Sequence, residues 1–131
     1  MKVAELMQRN VKTVASEACV AEAVLSLADA HVTGLPVVDR SGRMIGVVSS
    51  SDILMAEAES ERVGRDLMQE TQVRDIMTAR TYTVTPDEDV REAARQMLYA
   101  DVHRLFVAEV DRLVGVISTS DIVRAVATNK L

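Results

Sequence analysis

Residues 3–54 and 73–123 carry one pattern twice, mostly 70 positions apart. Val3-Ala4-Glu5-Leu6-Met7 returns as Val73-Arg74-Asp75-Ile76-Met77, and Gly34-Leu35-Pro36-Val37-Val38-Asp39 as Arg104-Leu105-Phe106-Val107-Ala108-Glu109. The offset then drops to 69, and Gly46-Val47-Val48-Ser49-Ser50-Ser51-Asp52-Ile53 returns as Gly115-Val116-Ile117-Ser118-Thr119-Ser120-Asp121-Ile122. A repeat of this length is one supersecondary unit used twice, each copy covering apolar surface that the other would leave bare. Any site formed between the copies then has a counterpart related by approximate two-fold symmetry.

With 131 residues, the chain has the length of one compact body. Apolar residues make up 48% and charged ones 27%, an ordinary globular balance, whereas Tyr82, Tyr99 and Phe106 are the only aromatics. The core therefore consists of Val, Leu, Ile, Ala and Met, and the seven methionines fill it. The net charge of −5 and the lack of any basic stretch longer than two residues argue against nucleic acid, which needs clustered Lys and Arg. No apolar run approaches the roughly 18 residues of a membrane span, and the N-terminus lacks the apolar stretch of a signal peptide. Cys19 is alone, so no intrachain disulfide forms. These features together suggest a cytoplasmic setting.

Within the first copy, Val11–Val14 reads as a short strand. Val20, Ala23, Val24, Leu27 and Ala28 form the stripe of a one-sided helix, repeated at Val90, Ala93, Ala94, Met97 and Leu98. Thr85-Pro86-Asp87-Glu88 has the pattern of a Thr N-cap, a first-turn Pro and a third-position Glu for the second of these helices. His31, closing the first, is favourable at a helix C-terminus on dipole grounds and has no site role. Strands follow at Leu35–Val38 and Met44–Val48, matched by Leu105–Ala108 and Leu113–Ile117. The first pair is joined by a turn containing Gly42, the second by a shorter turn without glycine. Helices open near Ser50 and near Thr119, the latter running to about Ala127. Each copy is thus β-α-β-β-α, an α+β protein with halves at 1–56 and 73–131. Residues 57–72 form a solvated helical linker that continues the helix from Ser50, with Val63, Leu67 and Met68 as a partial apolar stripe.

Gly46-x-x-Ser49-x-Ser51-Asp52 and Gly115-x-x-Ser118-x-Ser120-Asp121 fall where a strand gives way to a helix. The glycine permits close approach of a ligand or of another backbone. A helix N-terminus offers unpaired N–H groups and positive partial charge, suited to phosphate. An ionised Asp accepts hydrogen bonds from vicinal hydroxyls such as those of a ribose. The same residues also suit a plain capping role, since Ser-x-x-Asp is close to a capping box.

Taken together, the opening Val-x-[Glu/Asp]-[Leu/Ile]-Met, the Leu35–Asp39 strand and the duplicated Gly-to-Asp motif followed by Ile resemble a tandem pair of CBS (cystathionine beta-synthase) domains, the arrangement called a Bateman module. The resemblance covers nearly all of the chain outside 57–72. It implies two CBS motifs related by pseudo-two-fold symmetry, packed through their β-sheets into a disk with two clefts. Such clefts bind adenosyl ligands: AMP, ADP or ATP, in some members S-adenosylmethionine or a dinucleotide such as NAD. Carried over position by position, Asp52 and Asp121 would hold ribose hydroxyls. Ser49, Ser51, Ser118 and Ser120 would approach ribose or phosphate, and Val47 and Val116 would lie by the base. The far wall of the Asp121 cleft would be Met7, Lys12, Val32 and Thr33, with Arg104 facing phosphate. That of the Asp52 cleft would be Met77, Tyr82, Val102 and His103, with Gly34 in the place of Arg104. The extra cation makes the Asp121 cleft the better nucleotide site on this reading.

Catalysis has no support in the sequence. No Gly-x-x-x-x-Gly-Lys loop or Gly-x-Ser-x-Gly elbow occurs, two His and one Cys far apart make no zinc pattern, and no base completes a triad with the Ser–Asp pairs. The expected function is a regulatory sensor that binds an adenosyl ligand and signals to an effector protein. The alternative is a homodimeric interaction module whose stability ignores nucleotides.

Overall fold

The computed structural model describes residues 1–59, 65–79 and 82–131. It contains α1 (Val3–Leu6), β1 (Val14–Ala15), α2 (Val20–Ala30), β2 (Gly34–Val38), β3 (Met44–Ser49), α3 (Ser50–Glu59), α4 (Arg65–Glu70), α5 (Val73–Ile76), β4 (Thr83–Val84), α6 (Val90–Ala100), β5 (Arg104–Glu109), β6 (Arg112–Ser118) and α7 (Thr119–Ala127). The strands form two three-stranded sheets, β1-β2-β3 and β4-β5-β6. In each, the first strand runs parallel to the second and the second antiparallel to the third. The fold is α+β, built of the repeated unit read from the sequence.

The chain separates into two compact units that cut across the repeat. One unit contains residues 1–11 and 82–131, the other residues 12–81. The opening segment of each copy therefore completes the body of the other copy. Backbone hydrogen bonds make the exchange specific. Val3 N–H donates to Glu88 O (2.9 Å), Ala4 N–H to Pro86 O (3.0 Å) and Val90 N–H to Met1 O (2.9 Å). At the equivalent positions Val73 donates to Ala18 O (2.8 Å), Arg74 to Ser16 O (2.9 Å) and Val20 to Thr71 O (3.0 Å). Polar groups flanking the start of each long helix are thus satisfied by the short helix, α1 or α5, that opens the other copy and by the residues just before it. Val3 packs in one core with Val84, Val90, Ala93, Met97, Leu105, Val107 and Ile117. Val73 packs in the other with Val14, Ala23, Leu27, Leu35, Val37 and Val48.

Several local expectations change. Only Val14 of the stretch 11–14 is in a strand. The N-cap of α6 is Asp89, whose carboxylate accepts from Arg91 N–H (2.8 Å), not Thr85. Residues 85–88 form a turn instead, Glu88 N–H donating to Thr85 O, because Pro86 O is taken by Ala4 and the helix begins where Val90 goes under cover. The linker is not solvated throughout, since Leu67 on α4 is only 1% exposed. Residues 60–64, including Val63, lie outside the described residues, so the expected continuation of the helix from Ser50 through them does too. Both long helices close on a left-handed residue, His31 and Asp101, each at φ 54°. His and Asp are the non-glycine types that tolerate that region best apart from Asn.

Candidate functional site

The duplicated motif puts a carboxylate at the start of α3 and another at the start of α7. Asp121 Oδ2 accepts from Ser118 N–H (2.9 Å) and Ser118 Oγ (3.0 Å), while Asp121 N–H donates back to Ser118 Oγ (3.2 Å). The first copy repeats this: Asp52 Oδ2 accepts from Ser49 N–H (2.8 Å) and Ser49 Oγ (3.0 Å), and Asp52 N–H donates to Ser49 Oγ (3.1 Å). Each junction is a reciprocal capping box with Asp in the place usually held by Glu or Gln. One carboxylate oxygen is therefore committed to ending the strand and starting the helix. The other, Oδ1, faces different neighbours in the two copies. At Asp121 it accepts from Gln8 Nε2 (3.1 Å) and Arg124 Nη1 (3.4 Å). At Asp52 it accepts from Thr78 Oγ1 (3.0 Å).

The motif glycines serve backbone approach. A Cβ on Gly46 would lie 2.6 Å from Thr78 O and 2.9 Å from Met77 Sδ; one on Gly115 would lie 2.8 Å from Gln8 O and 2.7 Å from Met7 Sδ. Either position would have to push a main-chain carbonyl aside to hold a side chain. The pairing that causes this is mutual: Val116 and Gln8 exchange N–H···O bonds of 2.9 and 2.8 Å, as do Val47 and Thr78 at 2.9 Å each. Close approach of another backbone, one of the two uses read from the sequence, is met at both glycines.

Met7, Val116, Ser118, Ser120 and Asp121 accordingly fall in one unit, with Val102, His103, Arg104 and Tyr82. Arg104 is the cross-strand partner of Ser118, and His103 O accepts from Thr119 N–H (2.9 Å). Met77, Val47, Ser49, Ser51 and Asp52 fall in the other unit, with Lys12, Val32 and Thr33. There Gly34 is the cross-strand partner of Ser49, and Thr33 O accepts from Ser50 N–H (2.9 Å). Lys12, Val32 and Thr33 thus belong to a different unit from Asp121, and Tyr82, Val102 and His103 to a different unit from Asp52. Ser51 and Ser120 are exposed, as are His103 and Thr33.

Sequence reasoning missed Gln8, Thr78 and Arg124. Gln8 and Thr78 each follow the Met of the opening motif at matching repeat positions, so the repeat itself was the signal. Arg124 lies one helical turn after Asp121, where side chains meet, whereas the same place after Asp52 is Met55. Among the described residues no group of three or more His, Cys, Asp or Glu is placed to hold a metal ion, and no helix is long and apolar enough to cross a membrane.

Comparison with known proteins agrees with this architecture. The CBS domain family matches residues 3–59 and 73–128. The chain is similar in structure to CBSX2 of Arabidopsis thaliana, solved in complex with AMP (TM-score 0.82, 29% identity, 99% of this chain and 98% of that one). It is also similar to the CBS domain pair of protein MJ0100, solved in complex with 5′-methylthioadenosine and S-adenosyl-L-methionine (TM-score 0.79, 25% identity, 98% of both chains). In sequence it is 32% identical over 125 residues to homoserine O-acetyltransferase of Methanococcoides burtonii, 95% of this chain against 24% of that protein. The chain spans under half the length of several curated relatives that it matches.

Proposed function

This chain belongs to the CBS domain family, and on that premise we propose that it is a regulatory module that binds an adenosyl ligand at its motif aspartates and transmits occupancy to an effector protein. The observation that carries this reading is the pair of Ser-x-x-Asp helix starts, each holding a carboxylate whose second oxygen is within reach of side chains rather than committed to the helix. A vicinal diol offers two donors in the spacing such a carboxylate accepts, and the adjoining helix N–H groups favour an anion. That two structurally similar CBS pairs were solved with AMP and with S-adenosyl-L-methionine supports the ligand class. AMP, ADP, ATP, S-adenosylmethionine and NAD all carry that diol. In this proposal Ser49, Ser51, Ser118 and Ser120 approach ribose or phosphate. Val47 and Val116 cover the base with Met7 and Met77, and Arg104 meets phosphate. Lys12, Val32, Thr33, Tyr82, Val102 and His103 are assigned from the family resemblance.

A ligand that binds only the folded protein stabilises it by mass action, by about 2.7 kcal/mol at a hundredfold excess over Kd, and so raises its melting temperature. Thermal unfolding with each of these compounds at millimolar concentration is expected to show such a rise for at least one. No rise with any of them would contradict the proposal.

A second reading, a homodimeric interaction module indifferent to nucleotides, is favoured by apolar surface on the helices. In one unit Leu98 and Val123, 83% and 65% exposed, line a groove with Ala94, Met97, Val102 and Ile122. In the other, Leu25, Leu54 and Met55 are 65%, 70% and 56% exposed, and the matching groove is lined by Val24, Leu27, Val32 and Ile53. Sedimentation with and without ligand separates the readings: this one requires a dimer whose dissociation is unaffected by any adenosyl compound.

A further inference from the structure

The two motif carboxylates are built alike on the helix side and differently on the free side. An ionised carboxylate has roughly four acceptor positions. At Asp121 four donors occupy them: Ser118 N–H and Oγ on Oδ2, Gln8 Nε2 (3.1 Å) and Arg124 Nη1 (3.4 Å) on Oδ1. Among the described residues Asp52 has three, with Thr78 Oγ1 (3.0 Å) alone on Oδ1. Met55 stands where Arg124 stands in the second copy, and its side chain has no N–H or O–H to offer. Burial follows the same order, since Asp121 is 5% exposed and Asp52 is half-buried.

The donors also differ in kind. A Thr hydroxyl donates and accepts, so Thr78 can keep its bond to Asp52 while taking one from an incoming hydroxyl. The amide nitrogen of Gln8 and the guanidinium of Arg124 only donate, so a diol reaching Asp121 Oδ1 competes with them. Bonds to a charged acceptor are the stronger class, which makes that competition costly.

We propose that Gln8 and Arg124 latch Asp121 against its ligand while Asp52 and Thr78 together accept a vicinal diol as they stand, one hydroxyl each, so that the two sites fill in order, Asp52 first. This rests on the adenosyl reading above and deepens it. It reverses the order that Arg104 and Gly34 alone suggest: the Arg104 cation attracts phosphate, but the sugar-holding carboxylate beside it is already taken.

The test is calorimetric titration of AMP and of S-adenosylmethionine into the native chain, Asp52→Asn, Asp121→Asn, Thr78→Gln and the double variant Gln8→Thr with Arg124→Met. Circular dichroism and a melting curve establish that each is folded. The tighter binding phase is expected to vanish in Asp52→Asn, to persist in Asp121→Asn, and to weaken on the order of tenfold in Thr78→Gln. The double variant, which gives Asp121 the surroundings of Asp52, is expected to strengthen the weaker phase by a similar factor. A tighter phase that vanishes in Asp121→Asn and persists in Asp52→Asn overturns the latch while leaving the adenosyl reading intact, as does a weaker phase that the double variant does not change. Absence of saturable binding by every folded variant and by the native chain overturns the adenosyl reading and the latch with it.

Discussion

At Asp39, in the turn between β2 and β3, a single carboxylate oxygen collects three donors: Ser41 N–H (2.9 Å), Ser41 Oγ (2.7 Å) and Arg43 N–H (3.0 Å). The Ser41 hydroxyl, and after it the Arg43 N–H, hold the Asp39 carboxyl below its ordinary value of 3.8, against a smaller opposing effect of desolvation. A carboxyl whose pKa is depressed by folding stabilises the fold above its unfolded value, and that contribution is lost as pH falls through the folded one. Asp39→Asn is therefore expected to lose less melting temperature than the native chain between about pH 5 and about pH 3. An unchanged acid slope would contradict the assignment. The sequence announced the turn through Gly42, which sits at φ 86°, but hydrogen bonds of this kind depend on side-chain direction that composition does not report.

Among the elements, the β5–β6 hairpin is the one built against its own preferences. Val110 and Asp111 lie at φ 47° and 67°, the two-residue turn in which both central residues are left-handed. A branched side chain is badly suited to that region, and Val110 is 95% exposed, so nothing packs over it in return. Replacing the pair by Asn-Gly is expected to raise stability by about 1–2 kcal/mol, seen as a higher urea midpoint at unchanged slope. No gain would mean that the turn is held by more than local geometry. The helices show the opposite case. The stripes beginning at Val20 and Val90 placed α2 and α6 to within a residue or two, because a one-sided apolar face has no other use. Thr85-Pro86 has the pattern of a helix start in isolation, yet the cap of α6 lies at Asp89. What displaces it is the α1 segment, 80 or more residues earlier in the chain, whose Ala4 N–H uses the Pro86 carbonyl.

Across the whole molecule, the repeat was legible and its exchange was not. Periodicity says that Val3 and Val73 are to be buried; it does not say against which copy. Both are 0% exposed, Val3 in the core built from residues 84–117 and Val73 in the core built from residues 14–48. Val3→Ala is expected to cost about 1–3 kcal/mol in urea unfolding and to reduce amide protection along α6 before α2. Val73→Ala is expected to reverse that order. Loss of protection in the variant's own sequence half instead would contradict the exchange. The candidate site divides in the same way: the motif residues and their duplication could be read directly, whereas Gln8 and Thr78 reach their aspartates only because the opening segments cross. The central claim, that the motif aspartates hold an adenosyl ligand, is tested most directly by titrating AMP and S-adenosylmethionine into the native chain and into the folded Asp52→Asn, Asp121→Asn double variant. Saturable binding by the native chain that disappears in the double variant is the predicted result; equal binding by both, or none by the native chain, contradicts it.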